Sequence, residues 1–131
     1  MSHSIRILLT LLFLGTAFAA ARAQGGNVFI PISKYIEMGD SESLSAWFDE
    51  NLEIGILQKE SSSSRNQAKQ IVRRFFEGYT PRSFKITHTA GRPGLKYALG
   101  TLNAGGEVFN VTIFVKCKDE DIRIQQFKVE R

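Results

Sequence analysis

Apolar residues at Phe29, Ile32 and Ile36 recur at three- and four-residue spacing and predict a helix with one apolar face. Asn27 is placed to cap it, and Pro31 is tolerated in its first turn. Gly39 is suited to end it as a left-handed cap. Asp40 then caps a second short helix carrying Leu44, Trp47 and Phe48, and the two helices make a compact hairpin. At Leu52, Ile54 and Ile56 the period falls to two, with Glu53 and Gly55 between, which is a strand. The serine run Ser61–Ser64 has the composition of a short linker, but Ser64 and Gln67 have capping-box spacing, so the last serine starts a third helix. Ala68, Ile71, Val72, Phe75 and Phe76 form its apolar stripe, Lys69, Arg73 and Glu77 its wet side, and Gly78 and Pro81 close it.

Everything after Pro81 reads as strands. Residues 83–89 alternate, with Phe84, Ile86 and His88 on one side. Gly91-Arg92-Pro93-Gly94 is a turn, residues 95–102 the next strand, and Ala104-Gly105-Gly106 a second turn. Phe109, Val111, Ile113, Val115 and Cys117 share one face of a long strand, which turns at Asp119-Glu120-Asp121. The last strand begins with Ile122 and Ile124 on one parity and ends with Phe127 and Val129 on the other, so a β-bulge near Gln125 is expected to reconcile them and bend the sheet. The order α-α-β-α-β-β-β-β with short turns predicts an α+β fold, with a mainly antiparallel sheet covered on one face by three helices.

The start of the chain has a different character. Met1–Arg6 carries one basic residue and no acid, an apolar run follows over residues 7–20, and Ala21-Arg22-Ala23 ends it. That is a signal peptide with an A-x-A cleavage site. The apolar run has 14 residues, short of the roughly 20 that span a bilayer. Cleavage after Ala23 is expected to leave residues 24–131 as one exported domain, periplasmic or extracellular, with no stable membrane insertion. Removing Arg6 and Arg22 from the 17 basic residues leaves 15 against 13 acids, a net charge of +2. So small a charge gives no footprint for nucleic acid. Cys117 is the single cysteine and reads as a buried thiol, so the core must hold the domain without disulfides.

The run Gln67-Ala68-Lys69 leading to Phe75-Phe76, then Pro81, Phe84 and His88 before a glycine-rich turn, then Tyr97, Leu99 and Gly100, resembles an exported Bacteroidetes family, domain-of-unknown-function family 4783. That family lies within the nuclear transport factor 2-like (cystatin-like) superfamily. The resemblance covers nearly all of residues 24–131. It implies a cone-shaped roll in which a bent sheet wraps the third helix, and a homodimer through the sheet. The superfamily includes isomerases, cyclases and dehydratases as well as binding modules, so fold alone selects no activity. Its steroid-isomerase branch implies a carboxylate base and phenolic donors in an apolar cone. Tyr35 and Glu53 lie in roughly corresponding elements, but Glu53 has the parity opposite to Leu52, Ile54 and Ile56, so no catalytic residue carries over.

The residues themselves offer little chemistry. There is no phosphate loop, nucleophile elbow or H-E-x-x-H motif, and no cofactor or metal is implied. After cleavage His88 is the only histidine. Its parity with Phe84 and Ile86 points it at the core or a pocket, where an imidazole can serve as a general base. Trp47, Tyr79 and Tyr97 are the other candidates for a pocket lining, and Phe75, Phe76 and Phe84 stand among the same aromatics. Asp119-Glu120-Asp121 reads as a solvated turn, without EF-hand spacing. Asn110-Val111-Thr112 matches a glycosylation acceptor but lies within a strand. Three functions remain in view. The leading one is non-enzymatic binding of a small molecule or a protein partner. The others are a small isomerase or lyase using His88, and a structural module of a cell-envelope assembly.

Overall fold

Gly39 ends the first helix as its spacing requires. It adopts φ 67°, and its N–H and that of Asp40 return to the carbonyls of Ile36 and Tyr35. The computed structural model describes Val28–Arg131. The expected export segment, its cleavage site and the Asn27 cap lie outside those residues. Val28 holds the N-cap position of α1 (Phe29–Met38) without a side-chain cap.

Asp40 caps α2 (Ser41–Ser45), accepting the Ser43 N–H at 3.0 Å. That bond holds the Asp40 carboxyl below its ordinary range. Contrary to the sequence reading, α2 stops before Trp47 and Phe48. Trp47 lies in the turn and Phe48 opens β1 (Phe48–Ile56). The cause is a long-range pairing: the Ile124 N–H donates to the Trp47 carbonyl at 2.7 Å, and Phe48 registers with Ile124. Sheet pairing here overrides helical spacing.

The serine run is also corrected. Lys59–Ser64 is a strand, β2, antiparallel to β1, with Ser61 opposite Ile54 and Ser63 opposite Leu52. Leu57 and Gln58, both at positive φ, form a two-residue hairpin turn. As an edge strand β2 needs backbone pairing but little side-chain burial, so serines suffice. The reading of Ser64 as a helix start holds. Its hydroxyl accepts the Gln67 N–H, and the Gln67 side chain accepts the Ser64 N–H, opening α3 (Arg65–Gly78).

The remaining strands are β3 (Pro81–Arg92), β4 (Leu95–Ala104), β5 (Glu107–Lys118) and β6 (Asp121–Glu130). The six strands form one sheet in the order β2-β1-β6-β5-β4-β3, antiparallel except for the parallel pair β1–β6. The parallel ladder is interrupted between Phe48 and Glu53, where the Arg65 Nε–H donates to the Phe48 carbonyl at 2.9 Å.

Two bulges decide which residues face the helices. On β6, Phe114 pairs with Gln126 but Val115 pairs with Ile124, so Gln125 is the extra residue. Ile124 and Phe127 therefore share the inner face, as their buried rings and methyls require. On β3, Ile86 pairs with Gly100 but His88 pairs with Leu99, so Thr87 is extra. Its hydroxyl donates to the Leu99 carbonyl at 3.2 Å. This second bulge reverses the expectation for His88. Phe84 and Ile86 stay inside, while His88 moves to the outer face and is exposed.

The inner face of the described residues is apolar. Phe48, Phe109, Phe127, Leu102, Ile113 and Ile124 are fully buried there, packed against Ile32, Ile36 and Val72 of the helices. Gly100 permits one of these contacts. A Cβ at Gly100 would lie 2.5 Å from Phe84 Cζ, so the ring crosses β4 only because that side chain is missing.

Gly100→Ala is expected to displace Phe84 and destabilise the fold by about 1–3 kcal/mol. Adding Phe84→Leu should recover part of the loss in urea unfolding. A Gly100→Ala protein as stable as the parent would remove this account of the close approach. Leu99→Ser, on the outer face, is expected to change stability by no more than about 0.5 kcal/mol. Val111→Asp, on the inner face, should prevent cooperative folding because it buries an unpaired carboxylate. Equal tolerance of the two would contradict the assignment of faces.

Candidate functional site

The cross-strand register arranges the outer face of the sheet in rows. Ala90, Tyr97, Phe114 and Gln126 form one row from β3 to β6. Arg92, Leu95, Lys116 and Arg123 form the row at one side of it, and His88, Leu99, Thr112 and Lys128 the row at the other. Each row arises because side chains of alternate residues stand on one face and pair across neighbouring strands. The Tyr97 and Phe114 rings stack with centroids 5.4 Å apart, and His88 leans on Tyr97 at 5.9 Å. Leu99 is 37% exposed beside them. An apolar depression of about 380 Å³ opens at the edge of this strip, lined by Gly91, Arg92, Leu95, Tyr97 and Phe114.

The four sequence candidates therefore do not converge. His88 and Tyr97 meet, but outside the sheet rather than within the cone. Tyr79 lies at the end of α3, stacked on Phe75 at 5.3 Å and edge-on to Phe109 at 5.1 Å. Its hydroxyl accepts the Arg131 Nη2–H at 3.1 Å. The Glu107 carboxylate holds the same guanidinium through Nε at 3.0 Å and, with Tyr79, keeps its pKa above the ordinary arginine value. Tyr79 thus anchors Arg131. Trp47 is half-buried against the core at the α2–β1 turn. Cys117 is a free, half-buried thiol rather than a fully buried one, being near the strand end.

The interior offers little polar chemistry. Among the described residues the buried polar side chains are Ser45 and Ser63. The Ser45 hydroxyl donates to the Glu42 carbonyl at 2.9 Å, and Ser63 shares a hydrogen bond with Ser61 at 3.0 Å. No buried side-chain nitrogen or oxygen there lacks a partner. No cluster of His, Cys, Asp and Glu suited to a metal ion occurs among the same residues. Nor is any helix among them long and apolar enough to cross a membrane.

Phe114 and Leu99 belong to the outer strip, and sequence reading missed Phe114 as a candidate. Its signal was present: it falls between Ile113 and Val115 on a strand whose other face was already assigned. A large ring on the opposite parity is an apolar residue facing outward.

On the β1–β2 side, the same face is acidic. Glu53 continues the Tyr97–Phe114–Gln126 row, and Glu60 stands opposite Gly55. Lys128 bridges Glu60 at 2.8 Å and Glu130 at 3.2 Å, and these carboxylates raise its pKa, Glu60 foremost. A polar notch of about 230 Å³ lies among Glu53, Gly55, Glu60 and Lys128.

Comparison with solved structures places this architecture. A DUF4783 family protein from Bacteroides uniformis superposes with a TM-score of 0.76 at 20% identity, covering 80% of this chain and 97% of that one. A DUF4783 family protein from Bacteroides ovatus gives 0.74 at 19% identity, covering 78% and 93%. A putative dehydratase of the nuclear transport factor 2-like family from Streptomyces avermitilis gives 0.61 at 11% identity, covering 86% and 96%. At these identities the likeness speaks for the fold. No curated protein matches the sequence. The sequence does match the family described as Domain of unknown function (DUF4783) over residues 29–130, nearly the whole of the described fold. The chain therefore belongs to the DUF4783 family and carries its nuclear transport factor 2-like α+β fold.

Proposed function

We propose that this protein is an exported, non-enzymatic binding domain whose working surface is the outer face of the sheet. The observation that carries the reading is the division between the two faces. Among the described residues the interior is lined with Phe, Leu, Ile and Val side chains, and its few buried polar groups are already hydrogen-bonded. A ligand or substrate site needs free polar groups converging on an apolar cavity. The outer face instead carries the half-buried Tyr97 and Phe114 rings beside exposed Leu99 and His88, an arrangement suited to a recognition surface.

The isomerase or lyase reading draws less support. A general base needs a substrate held against it and water excluded. His88 is exposed beside Tyr97 on an open face, away from Tyr79 and Trp47. Export is proposed from the N-terminal sequence, with its apolar run and Ala21-Arg22-Ala23 site. Self-association through the sheet is the arrangement the family resemblance implies, and the strip of Tyr97, Leu99 and Phe114 suits it. A structural role in a cell-envelope assembly would use the same face.

Aromatic NMR spectra recorded during titration with phenol test the choice of surface. Shifts are expected at Tyr97, Phe114 and His88. Shifts confined to Phe48, Phe109 and Phe127 would return the site to the interior and overturn the reading. Sedimentation velocity over a wide concentration range tests self-association. A dimer weakened by Leu99→Ser is expected if the strip joins two copies, and a strict monomer would remove that arrangement.

A further inference from the structure

The row Arg92–Leu95–Lys116–Arg123 carries more positive charge than the domain's own contacts neutralise. Lys116 stands directly opposite Arg123 in the β5–β6 ladder, a like-charge pair that is unfavourable by itself. Arg123 is held by Asp121 through Nε at 2.9 Å and donates from Nη1 to the Ala46 carbonyl at 3.4 Å. Among the described residues Arg92 and Lys116 have no ion pair or hydrogen bond from their side chains. Both are exposed, and they flank Leu95, with Tyr97 and Phe114 in the adjoining row. Of the acids of this face, Asp121 adjoins the cationic row and is taken up by Arg123, while Glu53, Glu60 and Glu130 lie toward β1, β2 and the end of β6, and none lines the depression.

We infer that this corner of the outer face docks an extended protein segment that carries a carboxylate at one position and an aromatic or aliphatic side chain two residues along, on the same face. The inference rests on the outer-face reading above and names the partner's chemistry. Charge complementarity supplies the carboxylates: an anion between Arg92 and Lys116 would relieve the Lys116–Arg123 repulsion and satisfy two unpaired cations. Spacing supplies the two-residue step. Successive side chains on one face of a strand are about 7 Å apart, so the cationic row and the aromatic row match residues i and i+2 of an extended chain. Arg92 and Lys116 project from strands two apart, roughly 10 Å between backbones, which leaves room for a segment to lie between them. The open depression cannot enclose a small molecule on most sides, as ligand pockets do, whereas a protein segment needs contact on only one.

Fluorescence anisotropy with two labelled peptides tests the inference, one repeating aspartate-serine-phenylalanine-serine and one repeating lysine-serine-phenylalanine-serine, so that charge and ring fall at i and i+2 on one face of the extended chain. The aspartate peptide is expected to bind and to weaken as salt rises. The double variant Arg92→Glu, Lys116→Glu should weaken it about tenfold or more, while an unchanged thermal melt shows that the fold persists. Lys85→Glu, farther along β3, should have little effect. The lysine peptide should not bind. Equal binding of both peptides, or an aspartate peptide indifferent to the double variant, would overturn the charge assignment. If Leu99→Ser still weakened binding in that case, the outer-face reading would survive. Phenylacetate binding as tightly as the peptide would assign the site to small amphipathic acids and likewise overturn the inference. Phenol shifts at Tyr97 with no binding of either peptide would sink it alone.

Discussion

Side chains alternate across a strand with a period of two, so one inserted residue exchanges the faces of everything beyond it. This constraint governs the molecule more than any single contact. Gln125 and Thr87 are the two inserted residues that matter here. The first keeps Ile124 and Phe127 together in the core, and the second places His88 outside it. The shared burial of Ile124 and Phe127, and the contact of His88 with Tyr97 on the outer face, depend on these two register shifts.

The two bulges also show what a sequence reveals and what it hides. Gln125 was legible because large apolar residues stand on both sides of it, at Ile124 and Phe127, on incompatible parities. Thr87 was not legible. After it come His88, Thr89, Ala90 and Gly91, none a large apolar residue whose burial fixes a parity, so simple alternation continues unchallenged. The same reasoning explains the missed edge strand. Ser61–Ser64 pairs through backbone groups that no side-chain pattern reports, and only Ser63 is buried. The helix α3 was legible throughout, because its cap, stripe and stop are all local signals.

For the candidate site, the sequence supplied residues but not their grouping. His88 and Tyr97 were named for a pocket and do adjoin each other, yet on the open face. Tyr79 was named with them and serves instead to hold Arg131 against Phe109 and Glu107. Which aromatic side chains share a surface depends on cross-strand register, and register is set by pairing between distant segments. Fold by itself fixes no role.

The central claim is that the large rings of the inner face are buried, while His88 stands exposed on the outer face beside the half-buried Tyr97. Hydroxyl-radical footprinting of the dilute folded protein tests this most directly. His88 and Tyr97 are predicted to be oxidised in the native state, while Phe48, Phe109 and Phe127 stay protected until the protein unfolds. Protection of His88 and Tyr97 in dilute monomer, together with native-state oxidation of Phe109 or Phe127, would contradict the account and return the search to a cavity within the cone.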